Sequence, residues 1–491
     1  MKYVSKHSAI AVLILIATAL TLGACDAGFL SDARENPNSP QEAPVEMQLP
    51  GLIGEFSFGV VSGWPTILSA RFTQQTSSNG SPYYYNLDRY QLGQPWFTWD
   101  DPWTRSYTDI MKNARRIIEQ AQEEEAPHYA GIARLIYVWS LSYVTDGWGD
   151  VPLREAFEPT NTTPAYDPQE EVYGEIFSQL DEAIAELEED HPLSPGSDDL
   201  LYEGNMDKWA KAAYTLKARL LMRLTEAPGH DAADQAQQAL QALQNGFQSS
   251  ADDAEFQHVD EQGSRNPWYR VRDELDHHQM AAQHIDLLKS LDDPRLSVQA
   301  EPADAYLPEQ EAYIGHESGT EGLGVDSVST IGLAYTAPDA PGRWITYAEA
   351  KFIGAEAHQI LGDLETADEA YREGIRVNMR KYGIASDEID AYLDTRPSLT
   401  ESGNPLRDII TQKYIANFLT AEPWNDWRRT GYPELEPAEQ AAIDGIPVRY
   451  AWPASELSNN MDNIEASGLP TDRNVMLHRV WWDTTPSPGA Q

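Results

Sequence analysis

Paired carboxylates are the most frequent chemistry-bearing feature of this sequence: Asp100–Asp101 between Trp99 and Trp103, Asp292–Asp293, and Glu123 to Glu125. Two carboxyl groups flanking a sugar ring could serve as acid and base. With 78 acidic residues in a chain of 491, however, adjacent pairs arise by chance. Asp100 and Asp101, set among indoles, read instead as hydrogen-bond acceptors for a ligand or as a helix cap. A second constellation is Asp273, His277, His278 and His284. On one continuous helix Asp273 and His277 lie a turn apart and His284 two turns further along the same face, a spacing that could hold a metal. The reading adopted is the commoner one, an exposed acidic and histidine-bearing face with no metal. The sequence has no GxSxG elbow, no HExxH, no glycine-rich phosphate loop ending in Lys-Ser/Thr and no dinucleotide fingerprint. No catalytic residue and no cofactor is therefore assigned.

Aromatic rings carry the stronger signal, with 14 Trp and 24 Tyr. A flat ring with a polar edge covers a sugar face or a peptide side chain while its hydroxyl or indole N–H keeps a partner. Tyr83, Tyr84, Tyr85, Trp96, Trp99, Trp268 and Tyr269 sit among Pro, Gly and Asn, in stretches expected to be loops. Together with Asp101 they form the expected ligand-binding set. Trp139, Trp209, Trp424, Trp427, Trp481 and Trp482 fall in helical or compact segments and are expected in the core. Arg219 and Arg223, four apart on an otherwise apolar helix, need acceptors if they point inward. They and Arg428 and Arg429 are assigned to scaffold pairing, with Asp146, Asp150 and Glu349 as candidate partners.

The elements that must position these residues are helices. Apolar residues recur at three and four spacing in Tyr107 to Ala121, Tyr129 to Val144, Glu170 to Leu187, Trp209 to Leu224 and Ala232 to Leu243. The GDVP stretch supplies a glycine where the second of these ends, and Pro152 blocks its continuation. A later block beginning at Ile345 reads as two helices broken at Gly362–Asp363, with Gly354, Ala357, Ala367, Ala370 and Tyr371 at close-packing positions. Its size and small-residue placement match a tetratricopeptide hairpin, so the fold class expected is mostly α, a degenerate helical repeat. Between the blocks, about 245–343, the chain is rich in Gly, Pro, Asp and aromatics, with one helical run from Glu274 to Leu291. This long insertion and a shorter one, Ser81 to Trp103, are the candidates for a single binding face.

The first residues place Lys2 and Lys6 before an apolar run from Ala9 to Leu22 and then Gly23–Ala24–Cys25, the order of an export signal whose apolar part is too short to span a bilayer. Cys25 is the only cysteine. It is expected to be lipidated after removal of 1–24, which anchors the chain without a second membrane segment and leaves no thiol for disulfides or zinc. Residues 25–50 are proline-punctuated and read as a tether, leaving 51–491 as one large domain. The formal charge is −43, and only 10 of the 35 basic residues are lysine. That balance excludes nucleic acid as a partner. The acid is spread over the whole chain, which predicts adaptation to concentrated salt.

Taken in order, the segments NPNSP (36–40), TDGWGDVPLREAF (145–157), TPAYDPQEEVYGEIFSQLDEAI (163–184), KWAKAAYTLKARLLMRL (208–224), DDPRL (292–296), YIGHESG (313–319), the YAEAKFIGAEA helix, ITQKYIANFLTAEPWNDWRRTGYPEL (410–435), IPVRYAWPASELSNN and a terminal VWWD make the chain resemble the SusD/RagB family of outer-membrane nutrient-binding lipoproteins, in its SusD-like subgroup. The resemblance implies about four tetratricopeptide-like hairpins, a lipid anchor at the outer membrane, and a SusC-like TonB-dependent transporter as partner. It also implies a role: an oligosaccharide, or a peptide, is captured unaltered and delivered to the transporter. Members commonly carry several acidic residues after the cysteine as a surface-export signal. Here Asp26 is followed by Ala27–Gly28–Phe29–Leu30, which leaves the leaflet open. A tetratricopeptide-type assembly protein gripping an envelope partner is the alternative.

Overall fold

A computed structural model describes residues 43–78, 86–91, 98–274, 278–303, 308–322 and 327–484. The chain divides into two compact units, Met1–Gln48 and Leu49–Gln491.

Helix dominates. After α1 (Trp64–Phe72) the scaffold runs through α2 (Lys112–Glu123), α3 (Pro127–Trp148), α4 (Gln169–Leu187), α5 (Met206–Arg223) and α6 (Ala232–Leu243). It resumes with α7 (Tyr347–Ile360), α8 (Leu364–Lys381), α9 (Pro405–Ala416) and α10 (Glu422–Thr430). The pairs α2–α3, α3–α4, α5–α6 and α7–α8 pack against each other, and the connections of three residues before α3 and α8 make those neighbours antiparallel. The expected tetratricopeptide-like architecture is what forms. Local chemistry sets the ends: α3 starts with Pro127 in its first turn and stops at Gly149, whose φ of 77° closes the helix. Asn205, Asp231 and Asp363 cap α5, α6 and α8 by accepting first-turn N–H groups.

Packing follows the small residues. One face of α7 gives Phe352 and Ala355 to a core with Ala367, Tyr371 and Ile375 of α8. Its other face gives Ile353 and Ala357 to Ala218, Leu221, Ala236 and Ala239 of α5 and α6. Where α8 comes closest, a Cβ on Gly374 would stand 3.0 Å from the Phe352 ring. The centre of the scaffold is aromatic, with Trp139, Trp209 and Phe56 each packed on Trp344 at ring separations of 5.4, 5.9 and 4.6 Å.

The 245–343 insertion is more ordered than its composition predicts. The expected helix Glu274 to Leu291 is interrupted: Arg270–Glu274 is a π-helical turn, Gln279–Met280 is a strand, and only Ala282–Ser290 is α-helical. That strand, β3, joins β1 (Thr76–Ser77), β4 (Ala300–Glu301) and β5 (Thr330–Ile331) in an antiparallel sheet of order β1-β3-β5-β4, while β2 (Ala254–Phe256) pairs with β6 (Gly342–Ile345). Strands of two residues carry no legible period, so alternation could not announce them. Thr76 opposite Met280 and Ser77 opposite Gln279 stitch the entry to the Ser81–Trp103 insertion onto the long insertion.

Candidate functional site

The junction of the two insertions is built from buried polar side chains. Arg71, in the last turn of α1, donates to Asp88 at 2.6 Å and also contacts Nδ1 of His278, one residue before β3. Ser77 of β1 donates to the other Asp88 oxygen at 2.9 Å, and the Ser78 N–H donates to it at 2.7 Å. Nδ1 of His316 lies 2.9 Å from the Ser77 oxygen. Burial lowers the Arg71 guanidinium, and Asp88 beside it works the other way. Arg71, Ser77, Ser78 and Asp88 lie within 17 residues of one another, while His278 and His316 arrive from more than 200 residues away, so only the folded chain completes the junction. The result is a buried polar junction that joins Ser77 and Ser78 to Asp88.

The junction contains serine, histidine and aspartate, yet in the wrong order for acyl transfer. The Ser77 hydroxyl has one proton and gives it to Asp88, so the His316 Nδ1–H must donate to Ser77, which removes the base. Burial also holds His316 below its ordinary pKa, and Ser77 is fully enclosed. The geometry can position a loop and cannot activate a nucleophile.

The expected ligand-binding residues divide into three groups. Tyr83, Tyr84, Tyr85 and Trp96 lie outside the described residues. Tyr269 is half-buried with the Arg265 guanidinium 5.2 Å above its ring, and Asp101 is exposed at the surface, 3.9 Å from Arg105. Trp99 and Trp268 are corrections to the loop reading. Trp99 is 4% exposed and packs on Tyr450 and Trp148 at 4.9 and 6.3 Å; Trp268 is 3% exposed in a core with Ile67, Met280 and Tyr335. Neighbouring Pro and Gly signalled irregular backbone, and irregular backbone here is packed. Asp100 turns out to be a cap: its two oxygens accept the Ala454 and Ser455 N–H groups at 3.1 and 2.8 Å.

The histidine constellation dissolves, because the helix meant to align it is broken. His278 faces Arg71, and His277 is outside the described residues. His284 is enclosed, stacked on Phe418 at 5.0 Å, and donates from Nε2 to Gln299 at 2.7 Å; burial pushes its pKa down to about 4. The described residues hold no cluster of three or more His, Cys, Asp or Glu that could bind a metal ion. Asp293 is spent on Arg295, 2.6 Å away, and on the Tyr392 hydroxyl.

The four flagged arginines are scaffold, with a partner list corrected by the structure. Arg219 pairs with Glu349 at 2.7 Å, Arg223 with Asp146 at 2.7 Å and with Glu422, and Arg429 with Glu356 and Asp426. Arg428 donates instead to the Asp146 and Val448 carbonyls while stacking 3.6 Å over Trp424. Asp150 joins none of them and accepts the Gln169 N–H at the start of α4. Of the six tryptophans expected in the core, five are buried and Trp481 is half-exposed, on the wall of a cavity that also holds Arg449 and Trp452.

Comparison with known proteins identifies this arrangement. A SusD-like family model, described as starch-binding and associating with the outer membrane, matches residues 63–453. Among solved structures, a chitin-binding protein is 26% identical, with a TM-score of 0.77, over 90% of this chain and 100% of that one. A SusD/RagB family protein from Bacteroides thetaiotaomicron is 23% identical with a TM-score of 0.75, over 91% and 100% of the two chains. A chitin-binding SusD homolog from Flavobacterium johnsoniae is 24% identical with a TM-score of 0.74, over 90% and 98%. No curated protein matches the sequence.

Proposed function

The chain belongs to the SusD-like family, and from that premise we propose that it captures an oligosaccharide at the outer membrane and passes it, chemically unchanged, to a SusC-like TonB-dependent transporter. The observation that carries this reading is the match of a starch-binding, outer-membrane family over residues 63–453, reinforced by a 26% identical chitin-binding protein covered along its whole length. Chitin oligosaccharides are accordingly the first ligands to test.

In this reading Cys25 bears the lipid, and the residues between it and the helix Val45–Phe56, shorter than the 25–50 expected from the sequence, tether the body to the membrane. Tyr83, Tyr84, Tyr85 and Trp96 supply the stacking surface, and Tyr269 and Asp101 add a ring and an acceptor. Binding by stacking needs no proton transfer, and the one serine–histidine–aspartate grouping above lacks a free base.

Co-purification tests the delivery step. Tagged full chain extracted from its native outer membrane should bring a TonB-dependent barrel with it in near-equal amount. Recovery of a soluble envelope protein instead, unaffected by Tyr83→Ala and Trp96→Ala, would favour the assembly-protein alternative.

A further inference from the structure

A cavity of about 380 Å³ opens where α3 ends and α4 begins, walled by Asp150, Tyr166, Arg449, Trp452 and Trp481. Arg449 is 4% exposed. Among the described residues no carboxylate lies within ion-pair distance of it, and its Nε and Nη2 are buried with no hydrogen-bond partner. Asp150 on the same wall attracts it from beyond ion-pair distance, and the Trp452 ring lies 5.5 Å away. Arg71, Arg219, Arg223, Arg295 and Arg429 are equally buried, and each faces a carboxylate; buried Arg428 has no carboxylate at ion-pair distance and donates instead to two backbone carbonyls, whereas Arg449 has neither. A buried cation left alone is unfavourable and persists where something else supplies the charge. Loss of hydration, only partly offset by Asp150, pulls its pKa down to about 10.

The surroundings are shaped around that guanidinium. A Cβ on Gly149 would stand 2.8 Å from Arg449 Nη1, so the glycine that ends α3 also makes room for it. The 19-residue helix α4 begins at the cavity, and its first N–H, that of Gln169, is taken by Asp150 at 2.9 Å, so the guanidinium and not the helix end is the open group for an anion. Other groups fix the kind of anion. Arg479 is already paired with Asp483, and the Tyr166 hydroxyl donates to Glu456. Asp150 and Glu170 on the rim repel a multiply charged phosphate or sulfate more than a single carboxylate. Tyr166 and Trp452, stacked at 5.6 Å, and half-exposed Trp481 offer apolar faces to a ring.

We propose that this cavity binds a singly charged carboxylate carried on a ring-sized body, with Arg449 as its counter-ion and Trp481 and Trp452 against the ring. A sugar acid and an aromatic acid share that chemistry. The site is distinct from the residues proposed for oligosaccharide capture, so either can fail alone.

The test uses the full chain in mild detergent at constant ionic strength, titrated with sodium glucuronate, N-acetylphenylalanine, glucose and sodium chloride, beside Arg449→Met. One or both carboxylates should bind and raise the melting temperature, while glucose and chloride do neither. In the variant that binding should weaken by about 10- to 100-fold, the span of one lost charged hydrogen bond. The variant's own melting temperature should stay level or rise, because an unpartnered buried charge has been removed. Which carboxylate binds names the source. Failure of both to bind, an equal response to chloride, or unchanged binding by the variant would overturn the proposal. So would a variant that melts several degrees lower or does not fold, since Arg449 would then be a scaffold residue.

Discussion

At the residue scale, buried charge is the organising device of this fold. Glu422 is the hinge of the core network, accepting from Arg223 and standing 3.7 Å from Arg219, so two arginines of α5 are tied to α10 through one carboxylate. Burial keeps both guanidiniums desolvated, and the carboxylates beside them more than restore their basicity. Glu422→Leu should therefore cost about 1–3 kcal/mol of unfolding free energy in urea, because it takes one acceptor from two buried cations that keep Glu349 and Asp146. A loss below 1 kcal/mol would show that the network is not what joins these helices. The inward arginines were legible, since four residues' separation on an apolar helix forces them inside. Their partners were half legible: Asp146 and Glu349 are real, whereas Glu356 and Glu422 lie 73 and 199 residues from Arg429 and Arg223, and Asp426 meets Arg429 three residues along the same helix. Trp99 and Trp268 were misread for the complementary reason, that irregular backbone was equated with exposure.

At the element scale, helix periodicity and caps located the scaffold to within a few residues, because each amphipathic face has one burial solution. The pairing of α7 with α8 rests on small residues at the contact, and Gly374 is the tightest point. Gly374→Leu should lower stability by about 1–3 kcal/mol through overpacking against Phe352. An unchanged urea midpoint would mean that the two helices can part without loss. The sheet that joins the insertions escaped the sequence because strands of two residues have no period to read. The broken helix around His277 followed from the same hidden sheet, which claims Gln279 and Met280 as a strand.

At the scale of the whole molecule, the net charge of −43 is a property of the surface. In the buried network Arg219, Arg223, Lys413, Arg428 and Arg429 face Asp146, Glu349, Glu356, Glu422 and Asp426, five against five. The excess acid lies outside that core and repels itself over a screening length of about 10 Å at 0.1 M salt and about 3 Å at 1 M. We expect the urea midpoint to rise between dilute and molar sodium chloride. A flat response would remove the case for a salt-adapted protein. The same surface leaves a neutral glycan free to approach and turns polyanions away, in keeping with oligosaccharide capture.

The most direct test of that capture is calorimetric titration of the full chain, in high-salt buffer, with chitin and starch oligosaccharides. Each ligand would then be recovered and its chain length determined, beside a variant carrying Tyr84→Ala and Trp96→Ala. The account predicts saturable binding of one oligosaccharide class, loss of about 1–3 kcal/mol or more of binding free energy in the variant as in other aromatic hot spots, and ligand recovered at its original length. Shortened ligand, or no binding to any glycan by a folded protein, would contradict it.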